Sequence, residues 1–131
     1  MTLTLVQRLA LSLKDKKLLT VPAQAHAAIS KGKVVQISIA TGITAAPSNN
    51  DRLGLFGVAT EDVASGAEGS FQIRGVVEVM TGDTSAVGTF MNPMADMMVN
   101  ALATQTDGNG FCKLLEAGAD GVVKRAIIVN Q

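Results

Sequence analysis

Short apolar runs separated by glycine-rich turns are the feature that most limits what this chain can fold into. Val35, Ile37 and Ile39 alternate with Gln36 and Ser38, and residues 55–60 form another short run. Alternation with a period of two predicts half-buried β-strands rather than helices. Several such strands with frequent turns favour an all-β fold, either a compact barrel or a sandwich.

Two β-hairpins are predicted within this pattern. The runs 55–60 and 71–79 flank a polar connection that contains two glycines, and Gly75 inside the second run indicates a bulge or a close backbone approach. The runs 111–117 and 122–129 flank a turn at 118–121. These hairpins are similar in kind but not in sequence, and the chain shows no repeat of fixed period.

The N-terminal segment carries five leucines on odd positions: Leu3, Leu5, Leu9, Leu11 and Leu13. At 180° per residue they share one face, whereas at 100° per residue they scatter around a helix. The pattern predicts an extended arm over residues 1–20, followed by a single β domain over residues 21–131. A helix stays open as the alternative because leucine favours helices.

A strand with one leucine face and an open edge needs a partner to cover it. The five leucines, together with Arg8 and Lys14, are therefore the predicted protein interface, and we expect the arm to pair with a neighbouring subunit's sheet. Residues 1–33 carry six basic residues against one acidic residue. This charge fits an acidic neighbour, but a solvated lysine cluster explains it equally well.

The overall composition argues against several classes of partner. Eleven basic residues balance eleven acidic ones, so the chain has no general attraction for nucleic acid or membrane surfaces. Tryptophan and tyrosine are absent, which leaves few rings for stacking on bases or sugars. Since the apolar content is 47%, we expect more apolar surface than a monomer needs.

The sequence offers no convincing catalytic, metal or cofactor site. His26 is the single histidine, and no nucleophile-elbow motif accompanies it. Cys112 is the single cysteine, so we expect a buried thiol rather than a zinc ligand. The chain is therefore predicted not to be an enzyme, with no cofactor.

One alternative function uses the acidic loop at residues 61–69. Glu61, Asp62 and Glu68 could perform acid–base chemistry or bind calcium. The chain would then be a small β-barrel enzyme or ligand-binding module. Acidic residues are also ordinary on a turn between two strands, which is the simpler interpretation.

The central block resembles a recurring stretch in bacteriophage capsid decoration, or cement, proteins. The resemblance lies in the Gly-Val-Ala strand at 57–59, the acidic turn at 61–66 and the alternating run at 71–79. The turns at 30–35 and 117–121 are similar to that family's entry into its first strand and to its closing hairpin. The leucine-rich N-terminal segment departs from the family, so no docking mode is carried over to it.

The resemblance implies a compact, β-tulip-like fold and a structural protein without catalytic residues. Such a protein would bind the outer surface of the expanded phage capsid and stabilise the shell by bridging major capsid proteins. It would be a homotrimer located on the virion surface and made in the bacterial host cytoplasm. Its expected partners are the major capsid protein and further copies of itself.

Overall fold

A computed structural model describes residues 3–14, 19–49, 54–105 and 110–131. These residues form the helix α1 (Leu5–Lys14) and ten strands: β1 (Thr20–Gln24), β2 (Val34–Ile37), β3 (Thr44–Ala45), β4 (Leu55–Ala59), β5 (Glu68–Gln72), β6 (Val76–Thr81), β7 (Phe90–Pro93), β8 (Val99–Ala101), β9 (Cys112–Leu114) and β10 (Val122–Ile128). The all-β prediction is confirmed. Within these ranges, no helix has the length and apolar character needed to cross a membrane.

The strands form two sheets that follow one another along the chain. Strands β1 to β5 make a five-stranded sheet in the order β1-β5-β4-β2-β3, and a parallel bridge between Gln24 and Ile43 brings its two edge strands together. Strands β6 to β10 make a closed barrel in the order β10-β6-β8-β7-β9. We call these two parts the first half and the second half.

The two halves share one topology, strand for strand. The pairs β1–β5, β4–β5, β2–β4 and β2–β3 of the first half correspond to β6–β10, β9–β10, β7–β9 and β7–β8 of the second. Thr20 pairs with Gln72, and the corresponding pair is Val76 with Ile127, which lie 56 and 55 residues further along. The fold is therefore an internal structural duplication, although the sequence shows no repeat of fixed period.

Turns with positive φ recur at equivalent places in both halves. Gly32 (φ 89°) and Gly88 (φ 87°) precede β2 and β7, and glycine adopts this backbone region without strain. After β2 the first half has Gly42 (φ 72°), whereas the second half has Met97 (φ 67°). Among the residues with described coordinates, Met97 is the one non-glycine residue with positive φ.

Each half has its own hydrophobic core, and β2 and β4 contribute to both. Val35 and Ile37 of β2 face the first core, while Val34 belongs to the second. Phe56 and Val58 of β4 also belong to the second core. Because these two strands are covered on both faces, the halves pack into one continuous body.

The predicted run 71–79 is two strands rather than one. The first strand ends at Gln72, and the chain passes from the first half to the second through the bend at Gly75 (φ 83°), just before β6. The alternating burial persists across the break, but Phe71 faces the first core and Val79 the second. Both predicted hairpins are confirmed, since β4 pairs with β5 and β9 with β10 in antiparallel fashion.

The predicted extended arm is wrong, because residues 5–14 form a helix. Thr4 and Gln7 form a capping box at its start: the Gln7 N–H donates to Thr4 Oγ1 at 3.1 Å, and the Thr4 N–H donates to Gln7 Oε1 at 2.9 Å. The helix also contains four leucines, together with one residue each of alanine, glutamine, arginine and lysine, all of which favour helices. Pairing of this segment with a neighbouring sheet therefore loses its basis.

Candidate protein-interaction surfaces

Helix α1 divides the predicted interface leucines between two sides. Leu9 is fully buried in the first core, and Leu5 is partly buried on the same side. Leu13 packs on the first core but also borders the outward side of the helix. Residues four apart fall on one helix face, which explains this grouping. Leu3 and Leu11 point outward, with 39% and 53% of their surface exposed. The five leucines therefore do not share one face.

The inward side of α1 holds the helix against the first half. Leu5 and Val6 lie 3.4 Å from the position that a side chain at Gly42 would occupy. Arg8 forms an ion pair with Glu68 at the start of β5. Leu9 fills the core between these contacts, so α1 covers the place where β1 and β3 meet.

The outward side of α1 forms an apolar groove, which we call the helix groove. Ile39, from the turn after β2, contributes to it and is 55% exposed. Lys14 places a positive charge at its rim. The groove is lined by Leu3, Gln7, Ala10, Leu11, Leu13, Lys14 and Ile39.

A second apolar surface crosses four strands on the outer face of the barrel, and we call it the barrel row. Phe90 on β7 pairs with Lys113 on β9, Lys113 with Ile127 on β10, and Ile127 with Val76 on β6. Val76 is 54% exposed and Ile127 37% exposed. Lys113 extends its ammonium group over the Phe90 ring, 5.3 Å from the ring centroid, so its aliphatic stem adds to the row.

The equivalent row in the first half is either buried or polar. Val34 pairs with Val58, and both are buried beneath the second half. The row continues through Gln72 to Thr20, which are polar. The second half thus exposes apolar side chains at register positions where the first half has covered valines or polar residues.

Contacts between the halves show which surfaces meet inside the chain. The Val34 N–H donates to the Met97 carbonyl at 2.7 Å, and the Met80 N–H donates to the Gly32 carbonyl at 2.8 Å. Lys31 forms an ion pair with Glu78 at 2.9 Å. The outer face of β2 and β4 therefore docks on the part of the second half formed by β6 and the turn before β8.

Helix α1 occupies the corresponding place on the first half. Gly42, which α1 covers, is the counterpart of Met97, which the first half contacts. Glu68, which pairs with Arg8, corresponds by register to Val123, whose side chain approaches Gly32. Helix α1 therefore packs on the first half at positions equivalent to those where the first half packs on the second half.

Three of the side chains considered for catalysis, Asp62, Glu68 and His26, are engaged in structural contacts. Asp62 accepts a hydrogen bond from the Lys31 N–H at 2.8 Å, and Glu68 pairs with Arg8. Nδ1 of His26 lies 2.7 Å from Thr44 Oγ1. Burial raises the pKa of the Cys112 thiol to about 12, which disfavours the nucleophilic thiolate. Across the described ranges, no three metal-ligating side chains gather into a possible metal site.

An ion pair lies beside the barrel row. The backbone N–H and guanidinium of Arg125 donate to the Glu116 carboxylate at 3.0 and 3.1 Å. Hydrogen bonds from Arg125 hold the pKa of Glu116 below its ordinary value. The charge of Arg125, which faces Glu78 across the strand pair, is thus partly neutralised.

Comparisons with known proteins agree with this architecture. The model of the phage cement protein family matches residues 13–129, so most of α1 lies outside the match. The head fiber gp8.5 N base of bacteriophage phi29 has a similar fold, with a TM-score of 0.66 and 17% identity over 84% of this chain and 92% of that one. No curated protein sequence matches significantly. The chain therefore belongs to the phage cement protein family and is a capsid-associated structural protein of the virion.

Proposed function

We propose that this protein binds the outer surface of the expanded capsid and stabilises the shell by bridging major capsid proteins. The observation that carries the proposal is the presence of two separate apolar surfaces, the helix groove on the first half and the barrel row on the second. A protein that bridges its neighbours must contact them at more than one place. Large exposed apolar areas are typical of such contacts.

The packing of the two halves suits a bridging role. Val34, Phe56 and Val58 come from the first half but are 0%, 3% and 2% exposed within the second core. Close-packed interiors have low compressibility and transmit strain. A load applied at one surface therefore reaches the other without a flexible joint between the halves.

The alternative function, a ligand-binding module or enzyme that uses the 61–69 loop, has weaker support. Asp62 and Glu68 have partners on other segments, as described above. Acid–base catalysis needs carboxylates that converge on a substrate position. Asp62 instead holds the turn before β2 through Lys31, and Glu68 holds helix α1 through Arg8.

Co-sedimentation with phage shells tests the proposed function. Purified protein is added to expanded empty shells that lack it, and unexpanded shells serve as the control. We expect saturable binding to expanded shells and a higher temperature of shell disassembly. Failure to pellet with expanded shells, or binding without any gain in shell stability, would contradict the proposal.

A further inference from the structure

The chain passes from the first half to the second through residues 73–76, which we call the crossover. Gln72, the last residue of β5, holds the crossover from the side of the first half. Its Nε2 atom donates hydrogen bonds to the carbonyls of Arg74 and Val76, at 3.0 and 2.8 Å. These bonds fix the carbonyls on both sides of Gly75, the residue whose positive φ makes the bend.

Strand β10 and the residues after it hold the crossover from the side of the second half. The Ile128 N–H donates to the Gly75 carbonyl at 3.0 Å, and Gln131 Nε2 donates to the Ile73 carbonyl at 2.8 Å. Together with the two bonds from Gln72, every carbonyl of the crossover accepts a hydrogen bond. Because a rotation of the crossover would break these bonds, the connection between the halves is restrained from both sides.

Gln131 also bonds β4, where it takes the place of a missing strand. Its Oε1 atom accepts the Phe56 N–H and its Nε2 atom donates to the Phe56 carbonyl, both at 2.8 Å. At the equivalent place in the second half the partner is backbone, because the Val129 N–H donates to the carbonyl of Phe111, which corresponds to Phe56 in register. Strand β5 ends at Gln72 and does not supply this backbone. The Gln131 amide therefore acts as a peptide group that joins the second half to the first.

We propose that Gln72 and Gln131 are positioning residues, which keep the two halves at one relative orientation and so keep the helix groove and the barrel row in a fixed relation. The inference rests on the proposed function, because a bridging protein transmits load only if its contact surfaces do not move relative to each other. The two side chains make five hydrogen bonds to the crossover and to β4. Their loss should make opening of the crossover more frequent.

Hydrogen exchange of two backbone amides tests this restraint in the free protein. The Ile128 N–H bonds the crossover, and the Met80 N–H bonds the Gly32 carbonyl in the contact between the halves. Neither of these bonds uses a glutamine side chain, so a faster exchange reports movement and not the loss of a direct partner. In the double variant Gln72→Met with Gln131→Met, we expect both amides to exchange about tenfold faster. Each single variant should give an intermediate rate.

Gln105→Met is the matched control, because Gln105 makes the same kind of bonds within the second half. Its Oε1 atom accepts the Phe90 N–H at 2.7 Å, and its Nε2 atom donates to the carbonyls of Phe90 and Leu102 at 3.1 and 2.8 Å. The control loses these three hydrogen bonds without a change at the crossover, so both reporter amides should exchange at the wild-type rate. Circular dichroism melting verifies folding, and the single variant Gln131→Met takes the place of the double variant if that one is unfolded.

Disassembly of expanded shells tests the positioning role itself. At equal occupancy, we expect the double variant to raise the disassembly temperature by about half of the wild-type shift or less. Exchange rates in the double variant that match the control would overturn the restraint. Faster exchange together with full shell stabilisation would overturn the positioning role. A wild type that does not bind shells would contradict the proposed function and with it the positioning role, whereas the exchange rates would still decide whether the two glutamines restrain the crossover.

Discussion

Replacing Leu9 with alanine tests how α1 is attached to the first half. The Leu9 side chain is 0% exposed and belongs to the first core. Full burial of a leucine contributes about 2–3 kcal/mol, and the cavity left by truncation raises the usual cost to about 2–5 kcal/mol. Undocking of the helix limits this cost, because Leu9 reaches the core from a short surface element. We therefore expect Leu9→Ala to lower the free energy of unfolding by about 3 kcal/mol.

Leu11→Ala is the matched control for this prediction. Leu11 lies two residues further along the same helix and is 53% exposed, so its truncation should change stability by about 0.5 kcal/mol or less in the monomer. Urea denaturation followed by circular dichroism gives both values. For a chain of this size, 3 kcal/mol corresponds to a fall in Tm of roughly 10 °C.

The comparison of the two variants decides between helix and strand. An alternating strand places Leu9 and Leu11 on the same face and predicts similar losses from both substitutions. Equal losses, or a loss below about 1 kcal/mol for Leu9→Ala, would refute the docked helix. Measurement at low protein concentration keeps any contribution of self-association out of the result.

Three further predictions concern the cores and the turns. Cys112 should resist thiol reagents at pH 8 until the protein unfolds, because the thiol is buried. The free energy of unfolding should fall as pH rises above 9.0, because the thiol ionises in the unfolded chain at a lower pH than in the folded protein. Met97→Ala should be about 1 kcal/mol less stable than Met97→Gly in urea denaturation, because alanine at this positive φ is strained and glycine is not. Both variants lose the packing of Met97 on the first core, so this loss cancels in the comparison. Gly57→Ala should lower Tm through a loss of about 2 kcal/mol, because its new Cβ would lie 2.7 Å from Phe71 Cβ.

The strands could be predicted because alternation reports directly on burial. Phe71, Ile73, Val77 and Val79 are all buried, as their shared parity predicts. The break at Gly75 was not predicted, because a glycine within an alternating run was interpreted as a bulge or a close backbone approach within one strand. A break between two strands becomes apparent only once the residues before and after Gly75 are known to belong to different cores.

The helix could have been found from a signal that the leucine pattern concealed. Thr4 and Gln7 have the spacing of a capping box, which marks a helix start. Gln7 also interrupts the odd-position leucines, and the spacing of four between Leu5, Leu9 and Leu13 fits one helix face. The leucines divide between two surfaces because the segment is a helix, so this division could not be predicted from the alternating pattern that indicated a strand.

The duplication was invisible in the sequence because equivalent positions share backbone conformation rather than residue type. Gly32 and Gly88 correspond by residue as well as by φ, but Gly42 corresponds to Met97. Val58, buried between the halves, corresponds to the exposed Lys113. Equivalent positions carry different residues where the surroundings of the two halves differ, because the chain covers the outer face of β2 and β4 but leaves Lys113 exposed.

The barrel row differs from its counterpart in the first half at every position. Lys113 lies exposed in the middle of the row, whereas its counterpart Val58 is a buried valine, as expected for a surface that the chain itself does not cover. Val76 and Ile127 are apolar although exposed, whereas their counterparts in the first half are the polar residues Thr20 and Gln72. If the proposed function is correct, we expect these exposed apolar residues to be covered by a neighbouring protein in the assembled particle.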